Sequence, residues 1–86
     1  MPSQNQIELK IVVNGQPFQV KANVEAPVST VITHALSESG NSGQPADNWE
    51  LRDGSGQTLD PRKKIEDYSL HSGATLFLNL KAGIGG

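Results

Sequence analysis

The sequence predicts an α+β fold in which one mixed sheet is crossed by a single helix. Three observations carry that expectation. Two stretches of alternating apolar residues flank Asn14-Gly15, apolar residues recur at helical spacing after Pro27, and a last alternating stretch runs from Thr75 to Leu80. Together with two shorter strands between the helix and that last stretch, they give the order β-β-α-β-β-β.

Residues 1–6 are polar and read as a disordered lead. Ile7, Leu9, Ile11 and Val13 then alternate with Glu8, Lys10 and Val12, the period of a strand with one buried face. Asn14-Gly15 follows. A two-residue hairpin turn needs positive φ at both central positions, which asparagine and glycine tolerate best. The returning strand places Phe18, Val20, Ala22 and Val24 on one face and Gln19, Lys21 and Asn23 on the other. Pro17 sits at its start, where a missing N–H is tolerated.

Pro27 with Ser29 or Thr30 signals a helix start. Val28, Val31, Ile32, Ala35 and Leu36 form one stripe over about ten residues, and Gly40 is placed to end the helix in a left-handed conformation. A polar loop follows, from Gly40 to Asn48. Trp49 to Arg52 reads as a short strand with Trp49 and Leu51 in the core. Asp53-Gly54-Ser55-Gly56 is a turn, and Gln57-Thr58-Leu59 a short returning strand. Lys64 to Tyr68 holds a single helical turn, and Ser72-Gly73 turns the chain into the final strand. Pairing of the first and last strands in parallel at the sheet centre, with the helix across one face, is the β-grasp layout.

Composition narrows the functional classes. A chain of 86 residues is one domain with one modest core. It has no cysteine, hence no disulfide, thiolate metal site or cysteine nucleophile, which fits a reducing compartment. A net charge of −2 with 19% charged residues gives no nucleic-acid footprint. The start lacks a basic region and an apolar core, so no secretion signal is expected. No run approaches the ~18 apolar residues of a membrane span. A cytoplasmic monomer is the expectation.

From Leu59 to the end the sequence resembles ubiquitin. Leu59-Asp60-Pro61 through Ile65-Glu66-Asp67-Tyr68-Ser69-Leu70 is similar to ubiquitin's segment between its short strands. Thr75 to Lys81 is similar to its last strand, and Gly85-Gly86 to its diglycine end. The spacing from Tyr68 to Leu80 needs no gap. The hairpin and the helix start match more loosely, and as a pattern the resemblance spans about residues 7–86. It implies a divergent ubiquitin-like modifier of a prokaryotic conjugation system, with a body over 7–81 and a flexible tail over 82–86.

The resemblance further implies that the protein is a substrate rather than an enzyme, with no cofactor or metal of its own. An activating enzyme would adenylate the Gly86 carboxylate with ATP, and an enzyme cysteine would take the acyl group as a thioester. A conjugating enzyme would then pass it to a target lysine, and a protease would reverse the bond. Gly85 and Gly86 suit a narrow channel because they lack a Cβ. Lys81, Ala82, Gly83 and Ile84 would form the partner-binding reach before them. On the sheet, the positions matching ubiquitin's partner-binding patch are Glu50 and Asn79, both polar. Phe77 stands where ubiquitin has a histidine, so readers of ubiquitin's patch are expected to bind poorly. Two linking lysines of ubiquitin fall at Ser55-Gly56 and at Ser72. Lys10, Lys21, Lys63, Lys64 and Lys81 are the possible acceptors if chains form.

Two alternatives share these features. A sulfur carrier would bear a C-terminal thiocarboxylate, and a non-covalent ubiquitin-like adaptor would use only the body. Other chemistry is thin. His34 and His71 lie far apart and make no metal site. The Asp53 turn lacks the calcium-loop pattern. Arg62-Lys63-Lys64 reads as a solvated loop or a contact for an acidic partner. Tyr68, the one tyrosine, is expected to cover the core with its ring and to bond a nearby backbone group through its hydroxyl.

Overall fold

The structure is a computed structural model and describes residues 6–81. Residues 1–5 of the lead expected over 1–6, and the tail expected over 82–86, lie outside the described residues. Strand β1 (Gln6–Val13) pairs antiparallel with β2 (Gln16–Asn23). Helix α1 (Val28–Glu38) crosses to β3 (Trp49–Arg52), and β4 (Thr75–Leu80) closes the sheet. The order across the sheet is β2-β1-β4-β3. The central β1–β4 pair is parallel and the outer pairs are antiparallel. Single 3₁₀ turns cover Ala46–Asn48 and Ile65–Tyr68. This is the ubiquitin-like β-grasp expected from the order of the elements.

The periodicities translate directly into packing. Leu9, Ile11 and Val13 of β1, Val20 and Ala22 of β2, and Leu76 and Leu78 of β4 face α1 and are buried. All five stripe residues of the helix are buried against them. Trp49, Leu51, Leu59 and Ile65 complete the core, and no polar or charged residue is buried among the described residues. Asn14 (φ 52°) and Gly15 (φ 86°) make the hairpin turn, which sets the register Val13↔Gln16. Past the helix, Gly40 (φ +82°) lets the chain turn back. The Asn41 amide donates to Leu36 O at 2.7 Å and the Gly40 amide to Ser37 O at 3.2 Å, a paired C-terminal cap.

Three local expectations are corrected. Strand β1 begins at Gln6, which the reading of the sequence placed in the lead. The start of α1 makes no side-chain cap at Pro27, its N-cap residue. Its free amides are taken instead by the 61–63 loop, with Val28 donating to Lys63 O at 2.8 Å and Ser29 to Pro61 O at 3.0 Å. That removes the need for the Ser29 or Thr30 signal. Finally, residues 57–59 do not form a full strand. They contribute one bridge, Arg52↔Thr58, and the Leu59 amide donates to Leu51 O at 2.8 Å. The ladder stops there because the Asp60 amide is captured at 2.7 Å by the Tyr68 hydroxyl, and Pro61 has no amide to give.

Candidate functional site

Two surfaces gather the residues singled out by the sequence: the outward sheet face and the exit of β4. Side chains alternate along a strand, so Glu50 and Arg52 share the outward face of β3, and Phe77 and Asn79 share that of β4. The register sets Glu50 opposite Asn79 and Arg52 opposite Phe77. The three predicted face residues are therefore neighbours. Phe77 is 38% exposed and lies in a cross-strand row that continues through Val12 to Pro17.

Arg52 was missed as a member of this face, although its position two residues after Glu50 on the same strand signals it. Its guanidinium grips the Glu50 carboxylate through Nε at 3.0 Å and Nη2 at 2.8 Å. A forked, charge-assisted pair of this kind fixes both side chains in one geometry. The Glu50 carboxylate thus already has an internal partner, and the exposed apolar element of the face is Phe77.

The Arg62-Lys63-Lys64 run is also internally engaged. Arg62 pairs with Asp60 at 3.3 Å and Lys64 lies 3.9 Å from Glu66. The Lys63 ammonium sits 5.9 Å from the centre of the Tyr68 ring, within cation–π range. The Asp60 carboxyl is held below the usual aspartate range, first by the hydrogen bond from the Arg62 side chain and then by the Arg62 amide. Arg62 is raised by the same contact. Asp53 is likewise lowered, first by the Ser55 hydroxyl and then by the Gln57 amide. This is the turn read from the sequence, closed by Asp53 Oδ1 accepting from Ser55 and Gln57.

His34 lies 3.7 Å from Glu38 on the exposed side of α1. Among the described residues no cluster of three metal-ligating side chains exists, and no helix is long and apolar enough to cross a membrane.

At the exit of β4 the Lys81 amide donates to Asn48 O at 2.9 Å, which fixes where the chain leaves the sheet. Beside it opens a cleft of about 340 Å³ lined by apolar residues of α1, β3 and the 59–61 segment together with the polar Glu50, Thr58, Asp60 and Lys81. Trp49 is 4% exposed. Its indole Nε1 is buried and donates to no acceptor among the described residues. An orphaned buried donor of this kind costs about 1–3 kcal/mol. The cleft joins separate segments of the chain, so no local pattern announced it. Of the predicted tail, Lys81 is described, while Ala82, Gly83, Ile84, Gly85 and Gly86 lie outside the described residues.

The comparisons with known proteins agree with this fold. The chain is 51% identical over 80 residues to "Uncharacterized protein y4jI" of Sinorhizobium fredii (strain NBRC 101917 / NGR234), covering 93% of this chain. It spans about 62% of the length of that relative. Among solved structures, a designed protein based on ubiquitin matches with a TM-score of 0.80 at 21% identity, over 96% of this chain and 98% of the other. The Caldiarchaeum subterraneum ubiquitin matches with a TM-score of 0.74 at 23% identity, over 94% and 99%. At those identities the likeness is one of fold. A family model described as "Protein of Unknown function (DUF2604)" matches residues 2–86. The chain therefore belongs to the DUF2604 family, with the backbone architecture of ubiquitin.

Proposed function

We propose that this protein is a ubiquitin-like modifier joined to target lysines through Gly86. The observation that carries the reading is the ubiquitin-like body whose last strand leads, within five residues of Lys81, to Gly85-Gly86. In the proposed sequence the Gly86 carboxylate attacks the α-phosphate of ATP and displaces pyrophosphate. A cysteine thiolate of the activating enzyme then displaces AMP to give a thioester. A lysine amine, reached through a conjugating enzyme, finally displaces that thiolate and forms the isopeptide bond. Where the chain continues past Gly86, a protease would first cut there, and a deconjugating protease would later cleave the isopeptide. The rest of the machinery belongs to these partners, since the chain has no cysteine. The proposed setting is the cytoplasm.

The outward face supports a distinct set of readers. Glu50 is engaged by Arg52 and Asn79 is polar. A partner of this face would meet the Phe77 ring in place of a broad aliphatic patch.

The test is proteomic. The protein is expressed in its native host with an N-terminal tag, and conjugates are purified and digested with trypsin. Cleavage after Lys81 should leave the five-residue remnant Ala-Gly-Ile-Gly-Gly on modified lysines, and deletion of Gly85-Gly86 should abolish it. A terminal thiocarboxylate on the unconjugated chain would identify a sulfur carrier instead. Partner binding that survives the deletion, with no remnant, would identify a non-covalent adaptor.

A further inference from the structure

Strand β3 is an outer strand of the sheet, and part of its free edge has no neighbour. The Lys81 amide donates to Asn48 O at 2.9 Å, so residues 48, 50 and 52 turn their backbone groups toward β4. Trp49, Leu51 and Asp53 turn theirs away. At one end residues 57–59 take this edge up, with Asp53 donating to Gln57 O at 3.0 Å and Leu59 to Leu51 O at 2.8 Å. At the other end the Trp49 N–H donates to Ala46 O in the 3₁₀ turn. The Trp49 carbonyl and the Leu51 N–H are left over, and neither meets a hydrogen-bond partner among the described residues. Unpaired groups on a sheet edge are a template for another strand.

The cleft of about 340 Å³ runs beside the same residues, with Ile32 and Leu59 in its apolar lining and Glu50, Asp60 and Lys81 in its charged lining. It lies at the small end of ligand-binding cavities, which run from roughly 300 to 1,000 Å³, and has room for one aliphatic side chain with its backbone. Two of its charges are already engaged, Glu50 by Arg52 at 2.8 Å and Asp60 by Arg62 at 3.3 Å. Lys81 takes part in no ion pair among the described residues.

We propose that this edge takes an extended segment of a partner protein, laid parallel to β3 and reading acidic, aliphatic, then any residue with a free N–H. In a parallel pair one residue donates to the carbonyl before its opposite number and accepts from the amide after it. The Trp49 carbonyl and the Leu51 N–H are that pair of groups around Glu50. An antiparallel neighbour would need the Trp49 N–H or the Leu51 carbonyl as well, and both are taken. By alternation the preceding side chain points toward α1 and enters the cleft. The one before it returns to the outward face at the level of Asn48. A carboxylate there lies about 10 Å, two strand spacings, from the Lys81 backbone, a gap that a lysine and a glutamate side chain span together. The docking goes beyond the modifier reading and needs neither Gly86 nor a target lysine.

The probes are acetyl-Glu-Val-Thr-amide and its Ile, Leu and Phe analogues at the middle position. Each is titrated to millimolar concentration into the ¹⁵N-labelled full 86-residue chain. At least one should move the Leu51 amide proton downfield and slow its exchange, while the Gln19 amide on the β2 edge stays in place. Methylating the threonine nitrogen removes the donor to Trp49 O and should abolish the effect. Lys81→Glu should weaken binding about two- to fivefold, and Lys21→Glu should leave it unchanged. Unchanged amide peaks of Leu9 and Leu76 verify the fold of both variants. A Leu51 amide that none of the four peptides moves would overturn the proposal, as would an equal response to the methylated peptide. Leu51 protection that rises with protein concentration without peptide would also overturn it, by assigning the edge to a second copy. An absent Ala-Gly-Ile-Gly-Gly remnant defeats the modifier reading alone, and an unmoved Leu51 amide this proposal alone.

Discussion

Replacing Tyr68 by Phe removes one oxygen and leaves the rest of the side chain in place. That oxygen accepts the Asp60 amide at 2.7 Å across the loop, in a half-buried setting. The phenylalanine ring still packs against the core and still faces the Lys63 ammonium. The variant therefore isolates one hydrogen bond whose donor is left without its partner. Stranding a buried donor costs about 1–3 kcal/mol. Asp60 is only half-buried and water can reach its amide in part, so the lower half of that range applies, about 1–2 kcal/mol. For a domain of this size each kcal/mol moves Tm by about 4–8 °C. The expected fall is then roughly 4–16 °C, read by circular dichroism, with the urea m-value unchanged. Hydrogen exchange of the Asp60 amide should accelerate in step. A Tm within about 2 °C of the parent, or an Asp60 amide as protected as before, would refute the claim that this bond ends the ladder after Leu59 and ties the loop to the core.

Two further outcomes test the fold. Ile65 is fully buried beneath the 3₁₀ turn, so Ile65→Ala should cost about 2–5 kcal/mol in urea unfolding, well above the Tyr68→Phe change. The lowered carboxyls of Asp53 and Asp60 set the acid response. Each is held ionised in the folded protein more firmly than in the unfolded chain. Their contribution is complete above the ordinary aspartate range and is lost as pH falls through the lower folded values. The urea midpoint should therefore hold flat near neutrality and drop below about pH 4, and Asp53→Asn should flatten part of that drop.

Much of the fold was written in short-range pattern. The alternation Leu9-Ile11-Val13, the Asn14-Gly15 turn and the stripe from Val28 to Leu36 each specify an element from within a few residues. What escaped the pattern was supplied from far along the chain. The cap of α1 comes from Pro61 and Lys63, some thirty residues on. The truncation of the 57–59 strand follows from the Tyr68 hydroxyl, which no periodicity reports. On the outward face Glu50, Phe77 and Asn79 were picked out by the resemblance to ubiquitin's patch, and the strand register sets them side by side. The Glu50–Arg52 pair was legible from strand alternation and was passed over. The cleft was not, because Ile32, Trp49, Leu59 and Lys81 meet only once the chain has folded.

The borrowed cap of α1 bears on the order of folding. A side-chain cap would let the first helical turn form as soon as residues 27–31 are made. Here the amides of Val28 and Ser29 wait for Lys63 and Pro61, so closing that turn entails closing a loop of more than thirty residues. That closure carries an entropic cost which a local side-chain cap would not. The same stitching continues in the reverse direction, with Ile65 donating to Ala26 O and Glu66 to Val24 O. Four backbone hydrogen bonds thus stitch the helix start to the 61–66 segment, so that each supplies partners the other cannot find within itself.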